Sequence, residues 1–239
     1  SLGIKLFVPE PLHLEMRKKQ TLPVLAKKLG VQSPATVVIN SWNELNQAIG
    51  NTAYPIMMKG AMYKAYRVGN RSHAVEIAEK LIAEWGFPIL LQQIIDGVEM
   101  NVIGVGDGSG DSLGAVGIKK MWITELGKIW TGVTVKHEKM LALASNFIQS
   151  VQWRGPFELE CIVSGDEIYL IEINPRFPAW SYFATGVGIN LPAETVRRAF
   201  NIPLSEKSDY SPGKLYIRYT YETIQDMSMF QKITLEGEN

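Results

Sequence analysis

The amino-acid sequence predicts an α+β fold in which helices are interspersed with strands that pair as hairpins. Some segments repeat apolar residues at helical spacing, and others are short apolar or alternating runs typical of strands. In addition, turns rich in glycine, serine and aspartate join neighbouring strand-like runs. Because hairpins pair antiparallel strands, the pattern favours a mixed or antiparallel sheet with helices over a doubly wound parallel sheet.

Composition and charge are those of an ordinary globular protein. The chain has 239 residues, 46% of them hydrophobic, and 24 Lys+Arg balance 24 Asp+Glu. The zero net charge and the lack of a basic stripe predict no nucleic-acid partner. No apolar run approaches the roughly 20 residues that a membrane span needs, so no membrane partner is expected. The single cysteine, Cys161, excludes an internal disulfide and favours a cytoplasmic location.

Residues 1–53 are predicted to form a helical lead-in. Its predicted elements are a helix over 12–29, a strand over 37–39 and a helix over 42–49. Pro23 implies a break or kink in the first helix, which Gly30 ends. Ser41 and Glu44 have the spacing of a capping box, so the second helix begins after Ser41.

Residues 54–96 are predicted to form a small lid subdomain, and residues 97–239 a larger main subdomain. In the lid the predicted elements are a strand over 54–59, a loop or hairpin through 67, a helix over 72–85 and a strand over 89–95. In the main subdomain they are strands over 100–106, 113–122, 157–163, 168–174 and 214–221, with helices over 138–149 and 192–200.

The hairpin formed by residues 157–163 and 168–174 is the most informative segment. Side chains alternate across a strand, which predicts an apolar face of Phe157, Leu159, Cys161, Val163, Tyr169, Ile171 and Ile173. The opposite face is predicted to carry Glu158, Glu160, Glu172 and Asn174, continued by Ile162, Ile168 and Leu170. A three-residue loop centred on Asp166 would set Glu160 opposite Glu172, and Glu158 opposite Asn174.

Carboxylates placed in this way point to a cation site. Directly opposed side chains have Cβ atoms about 5 Å apart, so one carboxylate must take a proton or a cation must lie between them. Mg²⁺ prefers oxygen ligands and commonly takes one or two carboxylates plus substrate phosphates. The alternative is a hairpin whose polar face is simply hydrated. The clustering of polar residues at one end of the hairpin favours the cation site.

The segment that follows strengthens this interpretation. Pro175 ends the strand pairing, with Asn174, a neutral metal ligand, before it and Arg176, a bidentate anion binder, after it. Trp180, farther along, fits either a substrate pocket or the core.

The segment Glu172-Ile173-Asn174-Pro175-Arg176 resembles the Glu-x-Asn-Pro-Arg segment of ATP-grasp enzymes of the carbamoyl-phosphate synthetase and biotin carboxylase type. The resemblance implies a small lid over a larger mixed or antiparallel sheet, with ATP and Mg²⁺ as cofactors and Mn²⁺ as a substitute. It also implies that Glu160, Glu172 and Asn174 hold the metal between the ATP phosphates. Arg176 is then a catalytic residue beside the acyl phosphate.

Residues 90–99 resemble the hinge of the same family, against which adenine lies. The resemblance implies that Gln92 lies near the adenine amino group, that Gln93 and Ile95 supply backbone contacts, and that Glu99 binds the ribose hydroxyls. Apolar walls with a few polar groups suit a flat base. The alternative is an ordinary buried strand before a glycine turn, but the order and distance before the carboxylate hairpin favour the hinge.

Residues 54–60 resemble the strand of the family that ends in a phosphate-contacting lysine or arginine, and Lys59 is the match, with a catalytic and phosphate-binding role. An earlier basic residue on the first helix usually reaches the phosphates too. Lys19 is the best placed and Lys18 is its rival, although lysines on helices commonly form a solvated face.

Two departures from the family pattern stand out. The loop over 60–67 has only Gly60 where the family has a glycine-rich flap, so Lys64 or Arg67 would have to substitute by charge. The N-terminal α/β domain that usually precedes the first helix is almost absent, which suggests a missing domain or a separate polypeptide.

The resemblance implies an ATP- and Mg²⁺-dependent ligase that activates a small carboxylate and joins it to an amine or similar nucleophile. One alternative is a degenerate or truncated ATP-grasp domain that binds nucleotide, or serves as an interaction surface, without turnover. Another is a metal-dependent phosphohydrolase unrelated to this family. The identity of the carboxylate and nucleophile and the oligomeric state, with a homodimer as one option, stay open.

Overall fold

A computed structural model of the protein describes residues 3–60, 64–123, 129–206, 208–224 and 226–228. It contains two sheets whose strand pairs are antiparallel: a four-stranded sheet, here the small sheet, and a six-stranded sheet, here the large sheet. Helices pack against both sheets. The predicted α+β fold is therefore confirmed.

The described helices are α1 (Pro11–Met16), α2 (Leu22–Lys28), α3 (Trp42–Gly50), α4 (Arg71–Trp85), α5 (Glu138–Val151), α6 (Tyr182–Gly186) and α7 (Leu191–Ala199). The described strands are β1 (Thr36–Ile39), β2 (Ile56–Gly60), β3 (Ala65–Val68), β4 (Ile89–Gln93), β5 (Val98–Asp107), β6 (Ser112–Ile123), β7 (Ile129–Thr134), β8 (Arg154–Ser164), β9 (Glu167–Asn174) and β10 (Leu215–Ile217). No helix in these described parts is long and apolar enough to cross a membrane.

The small sheet has the strand order β1-β4-β2-β3, and α3 and α4 share a core with it. That core contains Ile39, Leu45, Ile49, Met58, Ala78, Leu81 and Ile89, all of them buried. Both β1 and α3 come before residue 54, where the predicted lid begins. The sheet therefore draws on more of the chain than the lid prediction covers, and the domain boundaries themselves stay a prediction.

The large sheet has the strand order β10-β7-β6-β5-β8-β9, and apolar side chains cover both of its faces. On one face, Val102 of β5 belongs to a core that includes residues of α2 and α5. On the other face, the next residue, Ile103, belongs to a core with Trp180 and residues of α6 and α7. This is the alternation expected along a strand in the middle of a sheet.

The predicted helix over 12–29 is two helices, α1 and α2, separated by residues 17–21. Pro23 lies in the first turn of α2, where the missing backbone N–H leaves no helical hydrogen bond unmade. The break that Pro23 implies is therefore confirmed, and it lies just before the proline.

The hairpin of β8 and β9 has the predicted register, because Glu158 pairs with Asn174 and Glu160 pairs with Glu172. Its loop is shorter than predicted. Ser164 pairs with Glu167, so the turn contains two residues rather than three, and Gly165 takes a positive φ of 58° there. One extra residue in β9 compensates for the shorter turn. Glu160 pairs with Glu172, whereas the next residue of β8, Cys161, pairs with Leu170.

That extra residue is Ile171, and it inverts the alternation of β9 beyond it. A bulge inserts one extra residue into a strand. The side chains between the bulge and the turn therefore face the opposite side of the sheet from the one that simple alternation predicts. Ile168 and Leu170 consequently lie in the core with Ile173, and the prediction that they continue the polar face is wrong. The prediction that Tyr169 and Ile171 share the core face is also wrong: both are only half-buried, and Ile171 lines the cleft toward the small sheet.

Other elements differ in extent from the prediction. The strands predicted over 89–95 and 214–221 are shorter, as β4 and β10. Strand β7 and helix α6 were not predicted. Strand β7 contains Gly132 and has no strict polar alternation, and its place is set by pairing with β6 and β10 on either side.

Candidate nucleotide and metal site

The predicted carboxylates lie together on one face of the large sheet because of the strand register. Asn101 of β5 pairs with Glu160 of β8, which pairs in turn with Glu172 of β9. In the neighbouring row Glu158 pairs with Asn174. Paired residues project to the same face, so two adjacent rows of polar side chains form one patch.

The Glu158 carboxylate is enclosed and accepts three hydrogen bonds from the protein. Its residue is only 3% exposed. Its Oε1 accepts from Asn101 Nδ2 at 2.7 Å and from Trp180 Nε1 at 2.8 Å, and its Oε2 accepts from Asn174 Nδ2 at 3.0 Å. Burial raises the pKa of Glu158, and the nearby Glu160 raises it further. Trp180 is thus a core residue that also orients a site carboxylate.

Asn174 is held by two carboxylates at once. Its Nδ2 donates to Glu158 Oε2 at 3.0 Å and to Glu160 Oε1 at 2.7 Å. Since the amide nitrogen is committed to these two bonds, the amide oxygen is turned away from them. That oxygen is the atom a metal ligand would use.

The outer carboxylate pair, Glu160 and Glu172, lies in a field of positive side chains. Burial raises the pKa of Glu172 and Glu160 raises it further, while Lys19, Lys59 and Arg17 oppose the shift. Arg17 was not among the predicted residues, whereas its neighbour Lys18 was predicted as the rival of Lys19 for phosphate contact.

Lys59 brings a positive charge from the small sheet to this pair. It is half-buried in β2, and burial lowers its pKa, as does the nearby charge of Lys19. Glu172, Glu160 and Glu99 all oppose that shift. Lys59 therefore lies close enough to the carboxylates of the large sheet to interact with them across the cleft.

Lys19, not Lys18, faces the cleft. Lys19 lines it together with Lys59, Gln92 and Ile171. It lies in the turn between α1 and α2, so its predicted place on the first helix is wrong, and the turn is what aims it at the cleft. Lys18 forms an exposed ion pair with Glu15 of α1.

The predicted adenine-binding residues come from the end of β4 and the link to β5. Gln92 lines the cleft, and its Nε2 donates to Thr36 Oγ1 at 2.9 Å. Gln93 is exposed, and its backbone N–H donates to the carbonyl of Ala35 at 2.9 Å, so that N–H is used in pairing with the residue just before β1. Ile95 lies in the segment that joins the two sheets.

Glu99, predicted to bind ribose, is paired with a residue that sequence reasoning missed. Lys120 Nζ lies 3.0 Å from Glu99 Oε2 and 2.9 Å from Glu160 Oε2, and the lysine side chain is only 7% exposed. Burial alone would lower the pKa of Lys120, but the two carboxylates raise it above its usual value. The available signal was a pair of lysines, Lys119 and Lys120, inside an otherwise apolar strand.

The remaining predicted cations lie toward the surface. Arg176 is exposed just past β9, as predicted for the rim, and its Nη1 donates to the carbonyl of Phe177 at 3.3 Å. Lys64 is bound by Glu84 of α4 at 2.6 Å, and Arg67 is exposed on β3. Residues 61–63 of the predicted flap lie outside the described residues.

The donor set fits a hard divalent cation. Glu160, Glu172 and the Asn174 amide offer oxygen atoms only, which are the ligands that Mg²⁺ prefers. In the parts of the chain that the structure describes, no group of three or more His, Cys, Asp or Glu side chains is arranged to hold a metal. Two carboxylates and an amide are nevertheless a sufficient protein share for Mg²⁺ where phosphates complete the coordination.

Residues 8–179 match the family model described as the ATP-grasp domain, which is more than half of the chain. The chain belongs to the ATP-grasp family. The resemblance carried by the hairpin motif is thereby confirmed, and the alternative of a phosphohydrolase unrelated to this family is excluded. All of the predicted site residues of this ATP-grasp chain lie within the matched range.

Individual relatives are distant. The carbamoyl phosphate synthase large chain of Saccharolobus islandicus (strain M.14.25 / Kamchatka #1) is 22% identical over 220 residues, covering 80% of this chain and 20% of the relative. The ATP-grasp chain thus spans about a fifth of the length of the curated relatives it matches.

Solved structures show the same fold at low identity. The ADP complex of N5-carboxyaminoimidazole ribonucleotide synthetase has a TM-score of 0.69 at 18% identity and covers 82% of this chain and 54% of its own. The biotin carboxylase domain of the Hydrogenobacter thermophilus 2-oxoglutarate carboxylase, in complex with MgADP, ADP and bicarbonate, also has a TM-score of 0.69 at 18% identity. That match covers 87% of this chain and 50% of the other.

Proposed function

We propose that this ATP-grasp chain binds ATP with Mg²⁺ in the cleft between its two sheets and uses it to activate a small carboxylate, which is then joined to an amine or similar nucleophile. The observation that carries the proposal is the direct pairing of Glu160 with Glu172 on the large sheet, in the electrostatic field of Lys59 from the small sheet. Two opposed carboxylates repel each other, and a metal ion bound to a polyphosphate would offset that repulsion while the lysine pairs with the phosphates.

The nucleotide end of the site uses β4 and the link to β5. The adenine amino group lies near Gln92, Gln93 and Ile95 supply backbone contacts, and Glu99 accepts hydrogen bonds from the ribose hydroxyls. The Gln92 amide already has a fixed partner in Thr36, which limits its rotation and favours one orientation toward a base edge.

The phosphate end of the site uses charges from both sheets. Lys19 and Lys59 contact the phosphates, while Glu160, Glu172 and Asn174 hold Mg²⁺. When bound there, the metal would supply charge neutralisation for the phosphates during transfer. Mn²⁺ is a second metal that the same oxygen donors accept.

The reaction needs no protein nucleophile. A carboxylate oxygen of the substrate attacks the γ-phosphorus of ATP, forming an acyl phosphate as ADP leaves. Arg176, at the exposed rim, holds the acyl phosphate through its planar pair of N–H donors. The nucleophile then attacks the acyl carbon, inorganic phosphate leaves, and an amine loses a proton.

The relatives support this chemistry at the level of the family. One solved neighbour is a synthetase bound to ADP, and another binds MgADP and bicarbonate. A cytoplasmic location, a homodimer and a further domain that completes the acceptor site stay predictions.

The proposal is tested by calorimetric binding of a non-hydrolysable ATP analogue, with and without Mg²⁺, to the wild type and Glu172→Gln. We expect binding near the micromolar range, about −8 kcal/mol, that depends on Mg²⁺ and weakens at least about tenfold in the variant. Glu167→Gln makes the same change on the same strand at an exposed position and should bind as the wild type does. Equal affinity in Glu172→Gln and the wild type would contradict the assigned metal site.

A second candidate is a nucleotide-binding domain without turnover. It is favoured by the ion pairs that Lys120 makes with Glu99 and Glu160, since these two carboxylates are already engaged. Release of phosphate from ATP with panels of small carboxylates and amines separates the two candidates. Acceptor-dependent release supports the ligase, whereas Mg²⁺-dependent binding without release supports the second candidate.

A further inference from the structure

The ammonium of Lys120 occupies the point where the nucleotide and metal ends of the site meet. It lies 3.0 Å from Glu99 Oε2 and 2.9 Å from Glu160 Oε2. Only 7% of the lysine side chain is exposed. A buried ammonium is costly without partners, so these carboxylates are what stabilise it there.

The strand order explains how one lysine reaches both carboxylates. Lys119 of β6 pairs with Met100 of β5, so the next residue, Lys120, lies beside Glu99 on the opposite face. Glu160 lies on β8, on the far side of β5. The lysine therefore spans the central strand and joins three strands through charge.

Both oxygens of Glu160 are engaged in this arrangement. Its Oε2 is bound by Lys120, and its Oε1 accepts from Asn174 Nδ2 at 2.7 Å. A divalent cation that approaches Glu160 meets a positive charge already in contact with the carboxylate. Two positive charges a few ångströms apart in a partly buried site repel strongly.

We propose that Lys120 is a positioning residue that holds Glu160 and Glu99 in the empty site, so that a divalent cation binds tightly only together with nucleotide phosphates. The proposal rests on the proposed function in taking ATP as the molecule that brings those phosphates. The phosphates supply new negative partners for the ammonium, and the ribose hydroxyls donate hydrogen bonds to Glu99 in its place. Glu160 is then released to the metal.

Removing the charge of Lys120 tests this role, because the affinity for free Mn²⁺ is expected to rise and the affinity for the ATP analogue with Mg²⁺ to fall. Lys120→Met keeps the apolar stem and removes the ammonium. We expect it to bind Mn²⁺ alone, measured by electron paramagnetic resonance, at least about tenfold more tightly than the wild type does, since the competing charge is gone. The same variant should bind the ATP analogue with Mg²⁺ more weakly, because the phosphates lose a positive partner.

Three comparisons make the test decisive. Lys120→Arg restores a cation and should exclude free Mn²⁺ as the wild type does. Lys119→Met makes the matched change at the adjacent residue on the opposite face and should leave both affinities unchanged. Lys120→Gln replaces Lys120→Met if the latter does not fold, since it removes the charge and keeps a hydrogen-bond donor.

Folded Lys120→Met, or Lys120→Gln in its place, that binds free Mn²⁺ no more tightly than the wild type overturns the proposal. A parallel loss of both affinities also overturns it, because that is the signature of structural damage. The Mn²⁺ measurement uses no nucleotide. Failure of the wild type to bind the ATP analogue would therefore count against the proposed function, while the role of Lys120 in excluding metal would still be decided separately.

Discussion

Two neighbouring cross-strand pairs on the β8–β9 hairpin each contain a glutamate of β8, and the two glutamates have different surroundings. The inner pair, Glu158 and Asn174, is closed off by Trp180, and Glu158 is only 3% exposed. The outer pair, Glu160 and Glu172, is less enclosed: the Glu160 side chain is 25% exposed, and lysines approach from other elements. Glu158 and Glu160 are separated by a single residue of one strand.

The difference shows that the position of a carboxylate within one face of the sheet decides whether it supports the structure or can bind a ligand. The inner carboxylate accepts three hydrogen bonds from protein donors and is almost fully buried, so a ligand has little access to it, and it orients Asn174. Of the outer carboxylates, Glu160 is bound by Lys120 and Glu172 lies near cations of other elements, which a metal or phosphates can displace or rearrange. We therefore expect changes at Glu158 to affect folding first, and changes at the outer pair to affect binding first.

The largest effect is expected for Glu158→Gln. A glutamine amide nitrogen must face at least one of the three donors that the carboxylate now satisfies, which leaves buried donors unpaired. We expect the free energy of unfolding to fall by about 2–3 kcal/mol, measured by denaturant titration. Glu172→Gln is the matched change in the outer pair and should alter it by less than about 1 kcal/mol. Equal losses in the two variants would remove the distinction between the pairs.

A smaller effect is expected for Trp180→Phe, which removes the indole N–H that donates to Glu158 Oε1. We expect a loss of about 1–2 kcal/mol of unfolding free energy, from the hydrogen bond and from lost packing. In the Glu158→Gln background the same change should cost less, since the bond is already perturbed. A double-mutant cycle measures this coupling, and additive losses would show that the indole acts through packing alone.

The smallest effect is expected in the pH dependence of stability. Burial, with Glu160, raises the pKa of Glu172 in the folded protein above its usual 4.5. The folded state thus holds this proton more tightly than the unfolded state, so stability falls as pH rises through 4.5 and up to the raised value. Glu172→Gln should show a shallower decline over that interval, by about 1 kcal/mol or less. Parallel profiles for the two proteins would place the Glu172 carboxylate in an ordinary aqueous environment.

Much of the hairpin could be predicted because its information is local. Alternation along each strand and a short turn decide which residues are opposed, so the pairings of Glu160 with Glu172 and Glu158 with Asn174 could be derived before the structure. The extra residue at Ile171 could not, because a shorter turn and a bulge together leave the same pairings in place near Glu172. Its consequence, the burial of Leu170 rather than Ile171, is visible only in the packed sheet.

The sequence by itself determined the α+β class, the family, the opposed carboxylates and the break before Pro23, since each depends on residues near one another in the chain. Only the tertiary structure decided that β5 lies between β6 and β8, which brings Lys120 to Glu160 across 40 residues of sequence. It also decided that Trp180 seals Glu158 and that the turn before α2 aims Lys19 at the cleft. The physical reason is that strand order and helix cover follow from burying apolar surface over the whole chain, and alternation within a segment carries no record of its distant neighbours.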